Sequence, residues 1–224
     1  MVNKLISREK WEQLVAADGY YSYDNFIKAA EKMHPDGFLN HGTEAERLRE
    51  LAAFLASVAH ETDEFQLIEH SCKMPQALFG SKYHPSPGRM YYGRGPLMLN
   101  WNGNYGSFSA YFFKDQQRLL DDPDEVARDG YVGFSSAIWL WMTQPNELTS
   151  AHNSIYRDLC RHKNWGFGRT VLAIGALMEN TSESENQRLA KRIDLYRHFA
   201  DALNVTVGVL GEQLNTWGMR RTCE

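Results

Sequence analysis

A capping signal followed by a helix-periodic run of apolar residues is the feature that most constrains the fold of this chain. Thr43 is followed three residues later by Glu46, a spacing that lets the two residues satisfy each other's backbone N–H groups at the start of a helix. Apolar residues then recur at helical spacing at Leu48, Leu51, Ala52, Leu55, Val58 and Ala59. The sequence therefore predicts a long helix that begins after Thr43 and ends near His60, Glu61 and Thr62.

Helical patterns also dominate the rest of the chain. Three further helices are predicted: one capped by Asp24, a strongly apolar one that starts at Asp122–Pro123, and a long one that opens at Ser182. Residues 71–106 are instead rich in Pro, Gly, Tyr and Asn without a steady period, which predicts a long structured loop. No internal repeat, low-complexity tract or linker interrupts the pattern. The expected fold class is therefore mainly α, in a single domain over residues 1–224.

The charge balance limits the class of partner. The chain has 24 Lys and Arg against 28 Asp and Glu, a formal net charge of −4 and a pI near 6.1. Polyanions need a basic surface, so nucleic acid and anionic membranes are not expected as partners. No apolar run reaches the roughly 18 residues of a membrane helix, and residues 1–14 lack the apolar core of a signal peptide. We expect a soluble protein whose localisation stays open, since a mature secreted form would look the same.

The cysteines and histidines give no sign of a metal site. Cys72, Cys160 and Cys223 show no CxxC spacing, which excludes a structural zinc site and a dense disulfide framework but allows one bridge. The residue four positions after His60 is Glu64, whereas a zinc-binding HExxH helix places a second histidine there. We therefore expect no metal and no cofactor.

Glu61 is the first candidate for chemistry. It stands where the predicted helix ends, and the negative end of the helix dipole disfavours the ionised form of a carboxyl group, which suits a general acid. The alternative is a solvated glutamate at a helix end. An acidic cluster follows in which Glu64 and Glu69 are candidates for a second carboxylate, and the alternative there is a charged loop.

Two motifs carry a resemblance to a known family. Residues 91–106 read YYGRGPLMLNWNGNYG, an unusual run of aromatics, glycines and amides, and residues 50–62 read ELAAFLASVAHET. Together they resemble glycoside hydrolase family 19, the plant-type chitinases and related phage endolysins. Further matches lie at 121–129, 137–143 and 188–196, so the resemblance extends from residue 8 to residue 204.

The resemblance implies a single, mainly α, lysozyme-like domain with a cleft for chains of β-1,4-linked N-acetylglucosamine, which are cleaved with inversion. The implied substrate is chitin or the backbone of peptidoglycan, and we expect the protein to act as a monomer. Carried over by position, the general acid falls on Glu61, and the ion network that orients it falls on Arg192 and Glu179. The alternative for Arg192 is a surface arginine on the last helix.

The water-activating half of the implied site departs from the family pattern. The family's general base lies nine positions after the acid, which is His70 here, and Glu69 stands one place early. The hydroxyl group that holds the attacking water corresponds to Asn100, and a substrate-contacting glutamine corresponds to Met98. All of these departures fall on the side of the site opposite the intact acid.

The substrate-binding residues of the implied cleft are only partly kept. A motif aromatic becomes Gly103 and an asparagine becomes Gly175, whereas Asn104 and Tyr105 are kept. Candidates for contact with sugar faces, each with a role in the core as the alternative, are Trp101, Tyr105, Tyr91 and Tyr92.

Three interpretations of the missing base stay open. His70, whose unperturbed pKa lies near 6.5, can replace it. Glu69 can act from the neighbouring position, or hydrolysis is weak or absent while oligosaccharide binding survives. An enzyme with Glu61 as its acid is therefore the first hypothesis, a chitin-oligosaccharide-binding protein the second, and a helical scaffold with another role the third.

Overall fold

The chain is built from helices joined by irregular segments. A computed structural model describes residues 2–15, 19–143, 149–161, 163–174 and 183–219, with 183–185 as backbone only. Within these ranges the only strand-like pairs are two isolated β-bridges, from Arg94 to Glu69 and to Leu99. The α-helices are α1 (Arg8–Leu14), α2 (Tyr23–Met33), α3 (Glu44–Glu61), α4 (Asn102–Phe112), α5 (Arg118–Asp121), α6 (Glu125–Arg128), α7 (Gly130–Met142), α8 (Ala151–Ile155), α9 (Phe167–Ala173) and α10 (Glu183–Ala202). The expected mainly α class is confirmed.

The capping signal works as predicted. The backbone N–H of Thr43 donates to the Glu46 carboxylate over 2.8 Å, and the N–H of Glu46 donates to Oγ1 of Thr43 over 3.3 Å. Helix α3 then runs to Glu61, and every residue from Arg49 to Ala59 is buried. None of the helices in the described part of the chain is both long and apolar enough to cross a membrane.

Three predicted boundaries are wrong. Helix α2 begins at Tyr23, so Asp24 lies inside the helix and does not cap it, and the N–H of Asn25 donates to Oγ of Ser22 instead. Asp122 follows the end of α5, and α6 begins only at Glu125, so Asp122–Pro123 does not open the apolar helix. Asp129 has extended backbone angles that separate α6 from α7, and its Oδ1 accepts hydrogen bonds from the N–H groups of Tyr131 and Val132 over 2.8 and 3.2 Å, which caps the start of α7. The long loop also ends earlier than residue 106, since α4 begins at Asn102.

The chain divides into two compact units. Unit 1 comprises Met1–Ser7, Met33–His60 and Trp141–Glu224, and unit 2 comprises Arg8–Lys32 and Glu61–Leu140. The assignment of a single domain therefore stays a prediction.

A buried glutamate organises unit 1. The carboxylate of Glu50 in α3 accepts hydrogen bonds from the N–H of Leu39 and Nε1 of Trp141, both over 3.0 Å. It also accepts from the hydroxyl group of Tyr156 over 2.8 Å and contacts Nδ1 of His152 at 2.6 Å. A buried carboxyl group costs free energy unless such partners replace its water, and these contacts join α3 to Trp141 and to α8.

The segment after α10 is fastened by a second buried glutamate. Glu212 accepts hydrogen bonds from the hydroxyl group of Tyr196 and from the N–H of Gly208, each over 2.7 Å. Burial raises the pKa of its carboxyl group, although these hydrogen bonds and Arg49 oppose the change. The ring of Tyr196 also stacks on Phe167, with centroids 4.3 Å apart, which joins α10 to α9.

Aromatic rings form the centre of unit 2. Trp11 of α1 stacks on Phe26 of α2 at 4.4 Å and meets the edge of Phe134 of α7 at 5.8 Å between centroids. Its indole Nε1 donates to the carbonyl of Tyr21 over 3.0 Å, so the buried ring leaves no polar group unsatisfied.

Tyr20 crosses the start of α7 in the same unit. Its hydroxyl group donates to the carbonyl oxygen of Val126 over 2.6 Å. A Cβ atom at Gly133 would overlap this hydroxyl group, so the bare backbone of that glycine makes room for the phenol.

Candidate active site

Glu61, the residue on which the predicted acid falls, is half-buried at the last position of α3. The chain turns sharply after it, because Asp63, Glu64 and Phe65 have left-handed backbone angles with φ of 49°, 58° and 67°. Oγ1 of the buried Thr62 accepts a hydrogen bond from the N–H of Phe65 over 3.0 Å and holds this turn. Glu64, a candidate second carboxylate, is exposed on the turn.

The two β-bridges bring the acidic cluster to the aromatic motif. The N–H of His70 donates to the carbonyl of Gly93 over 2.8 Å, which aligns Glu69 with Arg94. Arg94 in turn exchanges backbone hydrogen bonds of 3.1 and 2.7 Å with Leu99. The acidic cluster that follows Glu61 and the motif of residues 91–106 therefore meet in unit 2.

Arg94 is buried at the centre of this arrangement. Its Nη1 donates to Oη of Tyr105 over 2.9 Å and to the carbonyls of Met90 and Tyr92 over 3.0 and 3.2 Å. Its Nη2 lies 2.7 Å from a carboxylate oxygen of Asp124, and the guanidinium lies 3.6 Å from the centre of the Tyr92 ring. Sequence reasoning missed this residue, although an arginine between two glycines was a signal for close packing.

Glu69 is held by two neighbours. Its Oε2 accepts a hydrogen bond from the hydroxyl group of Tyr92 over 3.1 Å, and its Oε1 forms an ion pair with Lys73. The hydrogen bond from Lys73, followed by that from Tyr92, lowers the pKa of the Glu69 carboxyl group, although burial opposes them. Glu69 is therefore an oriented carboxylate that is ionised at neutral pH.

The side chain of His70 differs from that of Glu69 in its exposure and in its contacts. It is exposed, and Nδ1 accepts a hydrogen bond from the N–H of Cys72 over 3.1 Å. In that arrangement the neutral imidazole carries its proton on Nε2 and has no lone pair for a water. The carbonyl of Cys72 also lies 3.2 Å from Nδ1, and in the other tautomer Nδ1 donates to this carbonyl while Nε2 keeps a lone pair.

Of the four aromatics expected at sugar faces, only Trp101 is exposed, with 39% of its surface accessible. Tyr105 and Tyr91 are fully buried, with their hydroxyl groups donating to the carbonyls of Tyr92 and Leu120 over 2.9 and 2.8 Å. The prediction that sugars stack on these two rings is therefore wrong, because both rings belong to the core. The ring of Tyr92 is also buried. Its hydroxyl group donates to Glu69, and its face contacts the guanidinium of Arg94.

The remaining candidates on the motif lie on either side of Trp101. Met98 is buried and has φ of 48°. A Cβ atom added to Gly93 would lie 2.9 Å from the Cβ atom of Met98, so the side chain of Met98 packs inward against Gly93. Asn100 is half-buried just before Trp101. Asn104 is half-buried in the first turn of α4, where its N–H donates to the carbonyl of Trp101 over 2.9 Å.

Arg192 belongs to unit 1 and is 7% exposed on α10, which contradicts the alternative of a surface arginine. Burial, followed by the charges of Arg192, Lys191 and Arg188, lowers the pKa of His60 to about 3. The imidazole of His60 is therefore neutral at pH 7. Glu179 lies outside the described residues, so the ion network with Arg192 stays a prediction.

Metal ligation finds no support in the part of the chain that the structure describes, where no group of three or more His, Cys, Asp or Glu could hold an ion. Cys72 is exposed with a free thiol. Gly175 and Cys223 lie outside the described residues.

Comparisons with known proteins place this arrangement in a family. The sequence model of glycoside hydrolase family 19, described as chitinase class I, matches residues 1–212. An endochitinase of Phaseolus vulgaris is 31% identical over 92% of this chain and 70% of its own, and endochitinase 2 of Gossypium hirsutum is 32% identical over 92% and 76%.

Solved structures agree with the sequence relatives. Chitinase C of Streptomyces griseus HUT6037 superposes with a TM-score of 0.79 at 27% identity, over 94% of this chain and 97% of its own. A class IV chitinase of Zea mays superposes with a TM-score of 0.75 at 28% identity, over 95% and 99%. The chain belongs to glycoside hydrolase family 19.

Proposed function

We propose that this protein is a chitinase that hydrolyses β-1,4-linked chains of N-acetylglucosamine by an inverting acid and base mechanism. The observation that carries the proposal is the family match over residues 1–212, which includes a glutamate at the end of the buried helix α3. The sequence relatives are named endochitinases, which supports chitin rather than peptidoglycan as the substrate.

Glu61 is the general acid in this proposal. It is half-buried at the end of α3, so its backbone is held by a helix while its side chain is partly accessible to a substrate. It transfers its proton to the glycosidic oxygen as the bond from that oxygen to the anomeric carbon breaks.

Glu69 is the general base in this proposal, in preference to His70. Its carboxylate is ionised and oriented by Lys73 and Tyr92, whereas the side chain of His70 is exposed and its Nδ1 atom contacts only the backbone of Cys72 in the hydrogen bonds that the described residues show. Glu69 takes a proton from a water molecule while the water oxygen forms a bond to the anomeric carbon on the face opposite the leaving group. The product therefore has the inverted configuration.

The proposal is tested by Glu61→Gln, with Glu64→Gln on the adjacent turn as the matched control. A glutamine of the same shape cannot deliver a proton, so release of reducing ends from an N-acetylglucosamine hexamer should fall by about 10²–10⁴-fold. Affinity for the hexamer and the melting temperature should hardly change. The control should keep the parent rate.

Equal rates for the parent and Glu61→Gln would remove Glu61 as the acid. A parent that binds the hexamer but releases no reducing ends would instead support the oligosaccharide-binding protein.

A further inference from the structure

The segment 78–83 is attached to the first turns of α4 by one buried amide. Oδ1 of Asn102 accepts a hydrogen bond from the N–H of Leu78 over 2.7 Å. Its Nδ2 donates to the carbonyls of Leu78 and Tyr83 over 3.0 and 2.6 Å. Because the amide is fully buried, its donors and acceptor hold both ends of this segment in place.

Two glycines of α4 make room for the same segment. A Cβ atom at Gly103 would lie 3.1 Å from Oγ of Ser81, which is tighter than ordinary van der Waals contact. A Cβ atom at Gly106 would overlap the ring of Tyr83. The segment thus occupies space on the helix that larger residues at these positions would fill.

This attachment presents apolar side chains to solvent. Phe79 is 78% exposed and Leu78 is 55% exposed, although both belong to a segment whose backbone is tightly held. The backbone of Leu78 contacts the side chain of Asn102, the residue that follows the exposed Trp101. Phe79, Leu78 and Trp101 therefore lie in one region of the surface of unit 2, which we name the Phe79 platform.

We propose that the Phe79 platform binds N-acetylglucosamine units of the substrate chain through the apolar faces of the sugar rings. The inference rests on the proposed function, because it adds a binding position for the same polymer. Asn104 follows Trp101 in the first turn of α4 and is half-buried, and its amide is suited to hydroxyl and acetamido groups. Aromatic rings beside such polar groups bind one face and one edge of a sugar at once.

The size of the platform favours a sugar over a protein partner. A stable protein interface buries about 800 Å² on each side, with an apolar centre of several residues. Three apolar side chains beside Ser81 and Asn104 cover far less than this. They match the faces of one or two pyranose rings.

The test measures binding without cleavage, because every variant is compared with Glu61→Gln, which is expected not to hydrolyse the hexamer. Calorimetry with the N-acetylglucosamine hexamer should show an affinity about five- to tenfold weaker in Glu61→Gln, Phe79→Ala than in Glu61→Gln alone, the loss expected for one stacked ring. Phe79→Tyr should keep the affinity, because the ring is retained. The matched controls are Met74→Ala and Leu210→Ala, which remove exposed apolar side chains of 61% and 73% accessibility and should stay within about twofold.

The outcomes distinguish the two proposals. If the unsubstituted protein cleaves the hexamer, but Glu61→Gln, Phe79→Ala binds it as tightly as Glu61→Gln does, the proposed platform is wrong and the proposed chitinase activity is unaffected. Self-association that Phe79→Ala abolishes, with unchanged hexamer affinity, would overturn the sugar platform in favour of a protein contact. If the protein neither binds nor cleaves the hexamer, both proposals fall.

Discussion

The hydroxyl group of Tyr92 donates a hydrogen bond to Oε2 of Glu69 over 3.1 Å. The ring that carries this hydroxyl group is buried and packs against the guanidinium of Arg94, which lies 3.6 Å from its centre. The position of the proposed base is therefore determined through the aromatic motif, and its charge is set by Lys73 on the other oxygen.

Lys73→Ala should move the acidic limb of the pH profile of kcat/KM to higher pH. Lys73 is the largest cause of the lowered pKa of Glu69, so its removal raises that pKa toward the ordinary value of a glutamate. A general base works only when it is deprotonated, and activity is lost as the pH falls through its pKa. Lys82→Ala, which removes another exposed lysine of the same irregular segment, should leave the limb in place. A limb that stays fixed or moves to lower pH in Lys73→Ala would contradict Glu69 as the base.

Glu69→Gln and His70→Ala should differ sharply in rate. Loss of the base should lower the release of reducing ends from the hexamer by about 10²–10⁴-fold, whereas loss of the His70 ring should change it by less than about threefold. The reverse order would assign the base to His70.

The double variant His70→Glu, Asn100→Ser restores the family pattern at the water-activating side of the site. An increase of about tenfold or more in the release of reducing ends from the hexamer would indicate that the natural protein lacks an efficient base.

Arg192→Ala should destabilise the protein more than Lys191→Ala or Arg197→Ala on the same helix. Arg192 is buried whereas Lys191 and Arg197 are exposed, so only its removal deletes packed methylene groups and buried polar interactions. We expect a loss of about 2 kcal/mol or more in the free energy of unfolding, against about 0.5 kcal/mol for the other two. Urea denaturation of the three variants measures this. Equal small losses would remove the structural role of Arg192.

Glu50→Ala should be the most damaging of these substitutions to unit 1. It leaves the donors of Leu39, Trp141 and Tyr156 without their buried acceptor, and each such group costs about 1–3 kcal/mol. We expect the free energy of unfolding to fall by at least about 3 kcal/mol.

Two variants on α3 control this result. Glu50→Gln keeps one acceptor oxygen and should lie between Glu50→Ala and the parent, while Glu44→Ala at the exposed start of the helix should cost less than about 1 kcal/mol. A melting temperature of Glu50→Ala equal to that of Glu44→Ala would show that the network adds no stability.

The helices that could be predicted are those specified by local signals. The limits of α3 follow from the Thr43 and Glu46 cap and from apolar periodicity, and both act within a few residues. The Asp122–Pro123 signal failed because a second capping residue follows it: Asp129 has extended backbone angles and accepts hydrogen bonds from the N–H groups of Tyr131 and Val132. A local pattern does not rank two capping signals that lie within one short stretch.

Some features of the candidate site could also be predicted from local signals, and others could not. The position of Glu61 at a helix end could be read from periodicity, since it depends only on where α3 stops. The burial of Tyr105 and Tyr91 could not, because an irregular segment has no period that separates inward from outward side chains. Arg94 was missed for a related reason, as its acidic partner Asp124 comes from beyond α4.

The phenol of Tyr20 and the bare backbone of Gly133 share one small volume, and this has a consequence for how relatives diverge. A mutation of Gly133 to any other residue is tolerated only after Tyr20 has been replaced by a shorter side chain, because the added Cβ atom would overlap the hydroxyl group. The two positions must therefore change together, in that order, during evolution. We therefore expect the residues at these two positions to vary together among family members, independently of what happens at the catalytic carboxylates.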